Sequence, residues 1–144
     1  MIKEKRTFGI QVTLAARLLR TRFDQRAKTL ALTRPQWRTI VTVRYNEGAT
    51  QREIAELLEI ASVTVGRIVD RLEAAGLVER RTDAIDRRIN RLYLTRKSDP
   101  IFERLAELGQ DEQKSALAGL SLEEQQQLTS LLDRVIENLN RFEA

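Results

Sequence analysis

The sequence predicts a mainly α-helical (α+β) fold, and three observations support this class. The chain has 144 residues with only six glycines and two prolines, a composition that favours helices. Apolar residues recur at steps of three and four over most of the chain, which is the spacing of one helix face. Two short segments near the middle alternate between apolar and polar residues, as strands do. A chain of this length forms one domain of ordinary size.

The first two helices are predicted from their N-terminal residues. Thr7 can cap a helix that carries two apolar stripes and is therefore buried on two sides. Thr33 or Arg34 caps the next one, with Pro35 in the first turn, where its missing N–H costs nothing. The second helix should extend to about Asn46.

Two short helices follow and predict a helix-turn-helix. Thr50 and Glu53 have the spacing of a capping box, in which each side chain satisfies a free backbone N–H. Ser62 can cap the second helix, and Gly76 lies where a left-handed C-terminal residue is expected. The tight connection between the two helices indicates the motif.

A hairpin completes a winged helix-turn-helix over residues 33–97. The alternating segments 77–81 and 91–95 can pair as strands, and the loop 82–90 between them is charged and too long for a tight turn. The lobe is flanked by residues 1–32 and 98–144.

The C-terminal segment predicts two further helices. One begins at residues 98–100 and ends near Gly119, and a capping box of Ser121 and Glu124 opens the last. The apolar stripe of the last helix needs a cover, which is the first helix, another copy, or both, and we infer a dimer. The predicted interface residues are Phe8, Val12, Leu131, Val135, Leu139 and Phe142.

Composition excludes several kinds of chemistry. The chain has no cysteine and no histidine, which removes disulfides, thiol or histidine nucleophiles, zinc fingers and haem ligation through these residues. Only carboxylate chemistry remains open. We predict no metal site and no cofactor, and we expect that the protein is not an enzyme. The sequence contains no run of about 18 apolar residues and no apolar signal core, so we expect no membrane partner and a cytoplasmic protein.

Charge is distributed unevenly along the chain. Residues 1–61 carry 12 basic and 6 acidic side chains, residues 62–97 carry 9 and 5, and residues 98–144 carry 4 and 10. Arginine supplies 20 of the 25 positive charges, and its planar fork suits phosphate and guanine edges. The basic two thirds indicate nucleic-acid binding, although arginines that only solvate helices would give the same count.

The second helix of the motif has the pattern of a DNA recognition helix. Thr64, Arg67 and Arg71 share the face opposite its apolar side and are spaced to reach base edges or phosphates, and Val63 can touch a thymine methyl group. The helix N-termini at Thr50 and Gln51 and at Ser62 direct N–H groups at phosphates. An ordinary solvated helix is the alternative.

The predicted wing is a charged loop that carries Asp86, Arg87 and Arg88. Apolar packing does not explain why the chain has this loop. Arginine gains from the negative potential of a narrow minor groove. Asp86 can hold one of these guanidinium groups in a fixed rotamer through a bidentate pair. The alternative is a flexible charged hairpin.

These motifs together resemble the MarR (multiple antibiotic resistance regulator) family of bacterial winged-helix transcription factors. The resemblance spans nearly the whole chain as a single MarR-like domain, 1–144. It is densest in Thr50-Gln51, Ile54-Ala55, Leu58, Thr64-Val65, Arg67 to Glu73, Gly76-Leu77-Val78 and Arg80, and in the wing signature of Asp86-Arg87-Arg88 followed by Leu92-Tyr93-Leu94-Thr95.

The resemblance implies a homodimer in which residues 1–32 and 98–144 form interlocking dimerisation helices. Such a dimer reads a pseudo-palindromic operator in double-stranded DNA. The family's recognition-helix contacts carry over onto Val63, Thr64, Arg67 and Arg71, and its wing arginine carries over best onto Arg88, ahead of Arg87. Many members are released from DNA by small aromatic or lipophilic compounds. Candidate ligand residues are Trp37, which can equally be a core tryptophan, and Arg17, which can equally be a solvated or interface arginine. Sensing through cysteine or through histidine-bound zinc is excluded because the chain lacks both residues.

The sequence therefore predicts a DNA-binding transcriptional regulator, a repressor released by a small organic ligand. A winged-helix protein-interaction module is the alternative, but it would need an exposed apolar recognition helix, and this one presents arginines. A small carboxylate enzyme is a third reading, and no pair of acids stands out beside an aromatic pocket.

Overall fold

A computed structural model describes residues 6–141, so the predicted interface residue Phe142 lies outside the described part. Six helices and one two-stranded sheet follow in the order α1 (Phe8–Ala27), α2 (Arg34–Tyr45), α3 (Gln51–Leu58), α4 (Ser62–Ala74), β1 (Val78–Thr82), β2 (Asn90–Leu94), α5 (Asp99–Ala116) and α6 (Leu122–Arg141). The chain divides into two compact units between Gln110 and Asp111. The winged helix-turn-helix predicted from the sequence is confirmed.

The helix starts are the best-predicted features. The side chains of Thr7, Thr33 and Thr50 each accept a hydrogen bond from a first-turn N–H of α1, α2 and α3, respectively. The Glu53 carboxylate completes the predicted box by accepting from the Thr50 N–H at 2.7 Å. Ser121 and Glu124 bond reciprocally at the start of α6, at 2.8 and 3.1 Å. These bonds satisfy backbone donors that a helix leaves free.

The predicted cap at Ser62 is wrong by one residue. Ala61 is the N-cap of α4 and gives no side-chain bond, while Ser62 is already helical. The helix starts early because the Ala61 carbonyl accepts the N–H of Val65 at 3.1 Å. Glu59, at φ 56°, ends α3 in a left-handed conformation, so the turn is completed before Ser62.

The hairpin forms an antiparallel pair in which Val78 lies opposite Leu94 and Thr82 opposite Asn90. Each strand is displaced by one residue from its predicted range, toward the loop. Leu77 is outside β1 because its N–H closes the end of α4 on the Leu72 carbonyl at 2.9 Å. Gly76, at φ 74°, supplies the predicted left-handed residue just before it.

The hydrophobic core is built mainly by the winged-helix lobe, and Ala27 of α1 and Leu105 of α5 are buried in the same cluster. Fully buried aliphatic side chains come from all of its elements, namely Ile40, Val43, Ile54, Val65, Val69, Leu72, Val78 and Leu92. The sheet closes one side of this core through alternating residues, with Val78 and Leu92 inward. Over residues 6–141, none of the helices combines the length and apolar character needed to cross a membrane.

Candidate nucleic-acid interface

The buried and exposed faces of α4 consist of the residues that the sequence predicted for each. Its buried face consists of Val65, Ile68, Val69 and Leu72. Thr64, Arg67 and Arg71 are exposed, and the Val63 side chain is 70% exposed at the start of the helix. A helix anchored through one apolar face presents the opposite face in a fixed orientation, which is what reading a groove requires.

The wing loop is organised around the carboxylate of Asp83. Its Oδ1 accepts hydrogen bonds from the N–H groups of Ile85 and Asp86 at 2.8 and 3.1 Å. Its Oδ2 accepts from Nε of Arg91 at 2.7 Å. The bonds from the Ile85 N–H and the Arg91 guanidinium lower the pKa of Asp83 from its ordinary 3.8 to about 2. The loop is thus held by charge-assisted bonds at its base.

Asp86 and Arg88 form the bidentate pair predicted for the wing. Nε and Nη2 of Arg88 donate to the two carboxylate oxygens of Asp86 at 3.1 and 3.3 Å. The Arg88 N–H also donates to Asp86 Oδ1 at 3.0 Å, and these bonds lower the pKa of Asp86. The Arg88 side chain nevertheless remains 90% exposed. Its guanidinium is therefore oriented but accessible, and Arg87 beside it is exposed as well.

The hairpin is attached to the helix-turn-helix through the connection between α2 and α3. Nη1 of Arg91 donates to the Gly48 carbonyl at 2.8 Å, and the Leu92 N–H donates to the Ala49 carbonyl at 2.9 Å. Gly48 has φ 83°, and a Cβ there would lie 3.1 Å from the Tyr93 hydroxyl. Glycine is therefore needed for both the turn and the close approach of β2.

One cleft joins three of the predicted site regions. It has a volume of about 350 Å³ and is lined by Thr50, Gln51, Arg52, Ser62, Arg88, Ile89 and Asn90. The starts of α3 and α4 and the exposed wing arginine therefore lie around one opening. The first N–H groups of each helix have no partner within the helix, so this opening suits an anion such as phosphate.

Arg52 is a residue of this cleft that the sequence analysis missed. Its side chain is 86% exposed and lies 3.5 Å from the carboxylate of Glu56, one turn further along α3. A basic residue in the first turn beside the predicted phosphate residue Gln51 was the available signal. The side chain of Gln51, in contrast, accepts hydrogen bonds from Arg80, which leaves its backbone to meet a phosphate.

The two candidate ligand residues do not line the same pocket. Trp37 borders an apolar pocket of about 260 Å³ together with Phe23, Val41, Tyr45, Phe102, Leu105 and Ala106. Its Nε1 donates to Asp24 at 2.9 Å and its ring centroid lies 4.5 Å from that of Phe23. Arg17 lines a separate groove on α1. A cation beside the Trp37 pocket is Arg44, whose guanidinium carbon lies 5.0 Å from the Phe102 ring centroid.

The described interface candidates are half-exposed apolar residues. Phe8 and Val12 on α1 are 56% and 40% exposed, and Leu131 and Leu139 on α6 are 48% and 61% exposed, with Val135 partly buried. No residue of α6 is buried. Between residues 6 and 141, no cluster of three or more acidic side chains is arranged to hold a metal ion.

Comparison with known proteins gives one consistent family. A model of the MarR family matches residues 32–89. The uncharacterized HTH-type transcriptional regulator YybA of Bacillus subtilis is 29% identical over 131 residues, which are 91% of this chain and 87% of that protein.

Solved structures agree with this result. The transcriptional regulator SlyA is 34% identical, with a TM-score of 0.75 over 91% of this chain and 92% of that one. The apo form of wild-type MarR from E. coli is 25% identical, with a TM-score of 0.84 over 92% of this chain and 98% of that one. The chain belongs to the MarR family of transcriptional regulators.

Proposed function

We propose that the protein is a sequence-specific regulator that binds a pseudo-palindromic operator in double-stranded DNA as a homodimer. The observation that carries this proposal is the single cleft that brings together the N-termini of α3 and α4 and the exposed guanidinium of Arg88. A recognition helix in the major groove and a wing in the adjacent minor groove need this side-by-side arrangement.

In this proposal the exposed face of α4 reads the major groove. Arg67 and Arg71 donate to O6 and N7 of guanines or to phosphates, since both are exposed and their helix is fixed by a buried face. Thr64 contacts a base edge, and the exposed Val63 packs on a thymine methyl group. These contacts supply the sequence specificity.

The wing supplies a minor-groove contact through Arg88, with Arg87 next to it. The bidentate bond to Asp86 fixes the Arg88 side chain before it meets DNA, which lowers the rotamer entropy lost on binding. Thr50 contacts a phosphate through its hydroxyl, because its N–H is bonded to the Glu53 carboxylate. The N–H groups of Gln51 and Ser62 contact phosphates as well, and these contacts set the register without reading bases.

The homodimer forms through the segments 1–32 and 98–144, which flank the 33–97 lobe. Its support is the row of exposed apolar residues on α1 and on α6, since contiguous exposed apolar surface marks protein interfaces. Two recognition helices of such a dimer must lie about 34–36 Å apart to enter successive major grooves.

Selection from a random pool of duplex DNA tests this proposal. We expect enrichment of a pseudo-palindrome whose half-sites are about 10 base pairs apart, centre to centre. Recovery of DNA without enrichment of any sequence, or recovery of no DNA at modest ionic strength, would contradict sequence-specific binding. A winged-helix module that binds only proteins would recover no DNA.

The proposed regulation is repression that ends when a small aromatic or lipophilic acid enters the Trp37 pocket. This pocket is apolar and its volume of about 260 Å³ lies just below the range of about 300–1,000 Å³ of drug-sized ligand sites, so it suits a small compound. Arg44 lies at the Phe102 ring with its Nη1 3.6 Å from Oδ1 of Asp99, and the carboxylate of the ligand would replace Asp99 as its partner. A ligand that prefers the unbound geometry by about 1.4 kcal/mol lowers operator affinity tenfold.

Trp37 is the single tryptophan of the chain, so its fluorescence reports on this pocket alone. We expect benzoate to change the Trp37 emission in a saturable way and to weaken operator binding over the same concentrations. Arg44→Met should raise the benzoate concentration needed for both effects. A change in emission without any effect on operator binding would contradict the proposed release.

A further inference from the structure

We propose that Arg80 is a positioning residue that fixes the recognition helix α4 for sequence-specific reading and that it does not contact DNA itself. The inference extends the proposed function, because it assigns specificity to a residue outside the exposed face of α4. The sequence alone indicates no role for Arg80 beyond its place in the family resemblance.

The side chain of Arg80 lies between β1, α3 and α4. It projects from β1, where Arg80 is opposite Leu92, and it is only 19% exposed. Nη2 donates to the Gly66 carbonyl of α4 at 2.9 Å, and Nε and Nη2 donate to Oε1 of Gln51 on α3, each at 3.4 Å. One guanidinium therefore connects the sheet with both helices of the motif.

Two carboxylates of α4 complete this cluster. Nη1 of Arg80 lies 2.7 Å from Oδ1 of Asp70 and 3.3 Å from Oε1 of Glu73. The backbone N–H of Arg80 donates to the other oxygen of Glu73 at 3.1 Å. A planar group with five donors can make these contacts together, whereas a lysine ammonium has three donors at one point.

The contact to Gly66 lies next to the residues proposed to read DNA. Gly66 is between Thr64 and Arg67 in the chain, on the part of α4 that would enter the groove. A Cβ at Gly66 would lie 3.1 Å from Nε2 of Gln51, so the absence of a side chain lets the Gln51 amide approach the helix. Loss of the Arg80 contacts would release α4 from both β1 and α3 at this point.

Arg81 provides a matched control on the same strand. Successive side chains of a strand face opposite sides. Arg81 accordingly pairs with Glu79 at 3.1 Å, and its guanidinium carbon lies 4.0 Å from the ring centroid of Tyr93. Each substitution of Arg81 makes the same change of side chain on the same hairpin as its Arg80 counterpart, without touching the contacts between β1 and α4.

The test compares Arg80→Lys and Arg80→Gln with Arg81→Lys and Arg81→Gln, all as full-length chains whose folded fraction is measured by urea unfolding. Affinities for the selected operator and for a random duplex are measured at several salt concentrations. We expect both Arg80 variants to lose about tenfold in operator affinity, comparable with the loss from one mismatched base pair, and to keep their affinity for random DNA. The slope of log K against log salt should stay as in the wild type.

Several outcomes would overturn the inference. A slope reduced by about one unit in Arg80→Gln, with equal losses on both DNAs, would make Arg80 a phosphate contact. Full operator affinity in Arg80→Lys would show that charge alone is sufficient, and equal losses in the Arg81 variants would remove any special role of Arg80.

Asp70→Asn keeps the experiment decisive if the Arg80 variants do not fold, since the Asp70 side chain is 68% exposed and tolerates substitution. Asp70→Asn should lower the ratio of operator affinity to random-DNA affinity, as the Arg80 variants do, but by a smaller factor. An unchanged ratio would count against the inference.

A wild-type protein that selects no sequence would overturn the proposed function as well. A selective wild type with equally selective Arg80 variants would overturn only this inference.

Discussion

The winged-helix lobe and the terminal helices use similar apolar residues in opposite ways. Within the lobe, the 13 residues of α4 bury four aliphatic side chains. The 20 residues of α6 bury none, and α1, of the same length, buries only Ala27. The lobe thus completes its core within one chain, whereas the terminal helices keep an apolar stripe accessible. The difference separates residues that stabilise a fold from residues that are available for assembly.

The largest expected effect tests whether the exposed apolar stripe of α6 forms the dimer interface. Leu131→Asp combined with Leu139→Asp places two charges in the apolar stripe of α6, where both leucines are about half exposed. We expect a folded monomer by light scattering and a loss of about 100-fold or more in operator affinity, because one lobe alone loses the effective concentration of the second.

Gln126→Asp combined with Ser130→Asp is the control, with the same added charge on the opposite side of α6. This control should remain a dimer with normal affinity. A dimer that persists in the leucine variant would show that the stripe of α6 is not the interface.

The next prediction concerns the core of the lobe. Ile54→Ala removes a fully buried side chain of α3, and we expect a loss of about 2–5 kcal/mol in the free energy of unfolding, since the lost burial is combined with a cavity. Leu57→Ala changes the same helix at a side chain that is 54% exposed and should cost less than half as much. Equal shifts of the urea midpoint would contradict a core confined to the buried face.

A smaller effect is expected at the wing. Arg88→Ala should reduce the slope of log K against log salt by about one unit, because one groove or phosphate contact is lost. Arg104→Ala is a suitable control, because Arg104 is half exposed on α5 and pairs with Glu107 at 2.8 Å. An unchanged slope for Arg88→Ala would show that the wing stays off DNA.

The smallest effect is a pH dependence set by Asp83. Its pKa is about 2 in the fold against an ordinary 3.8, so its contribution to stability is fully present above pH 3.8 and is lost as the pH falls toward 2. Urea unfolding between pH 5 and pH 2 should therefore show a steeper loss in the wild type than in Asp83→Asn. Parallel curves for the two proteins would contradict a carboxylate that anchors the loop.

Features with local causes could be predicted from the sequence. The caps at Thr7, Thr33, Thr50 and Ser121 depend on bonds that span three residues, and all four are present. The pair of Asp86 and Arg88 spans two residues and was also predicted correctly. The start of α4 was missed because Ala61, which has no side-chain acceptor, occupies the cap.

Contacts between distant residues could not be predicted in the same way. Arg80 and Gln51 are 29 residues apart, and Arg91 and Gly48 are 43 apart, so neither pair leaves a pattern in a short window. The Trp37 pocket shows the same limit, because the cation at its aromatic wall is Arg44 and not Arg17. Many arginines were available, and composition alone could not assign them to partners.

By itself, the sequence determined where the helices other than α4 begin, which face of each helix is apolar, and that a charged hairpin follows a helix-turn-helix. These features depend on the spacing of apolar residues and on hydrogen bonds within one turn of backbone. Both are determined by residues that are close together in the sequence. Only the tertiary structure decided which arginines hold the fold together and which remain exposed, because that choice depends on the side chains that the folded backbone brings within hydrogen-bond distance.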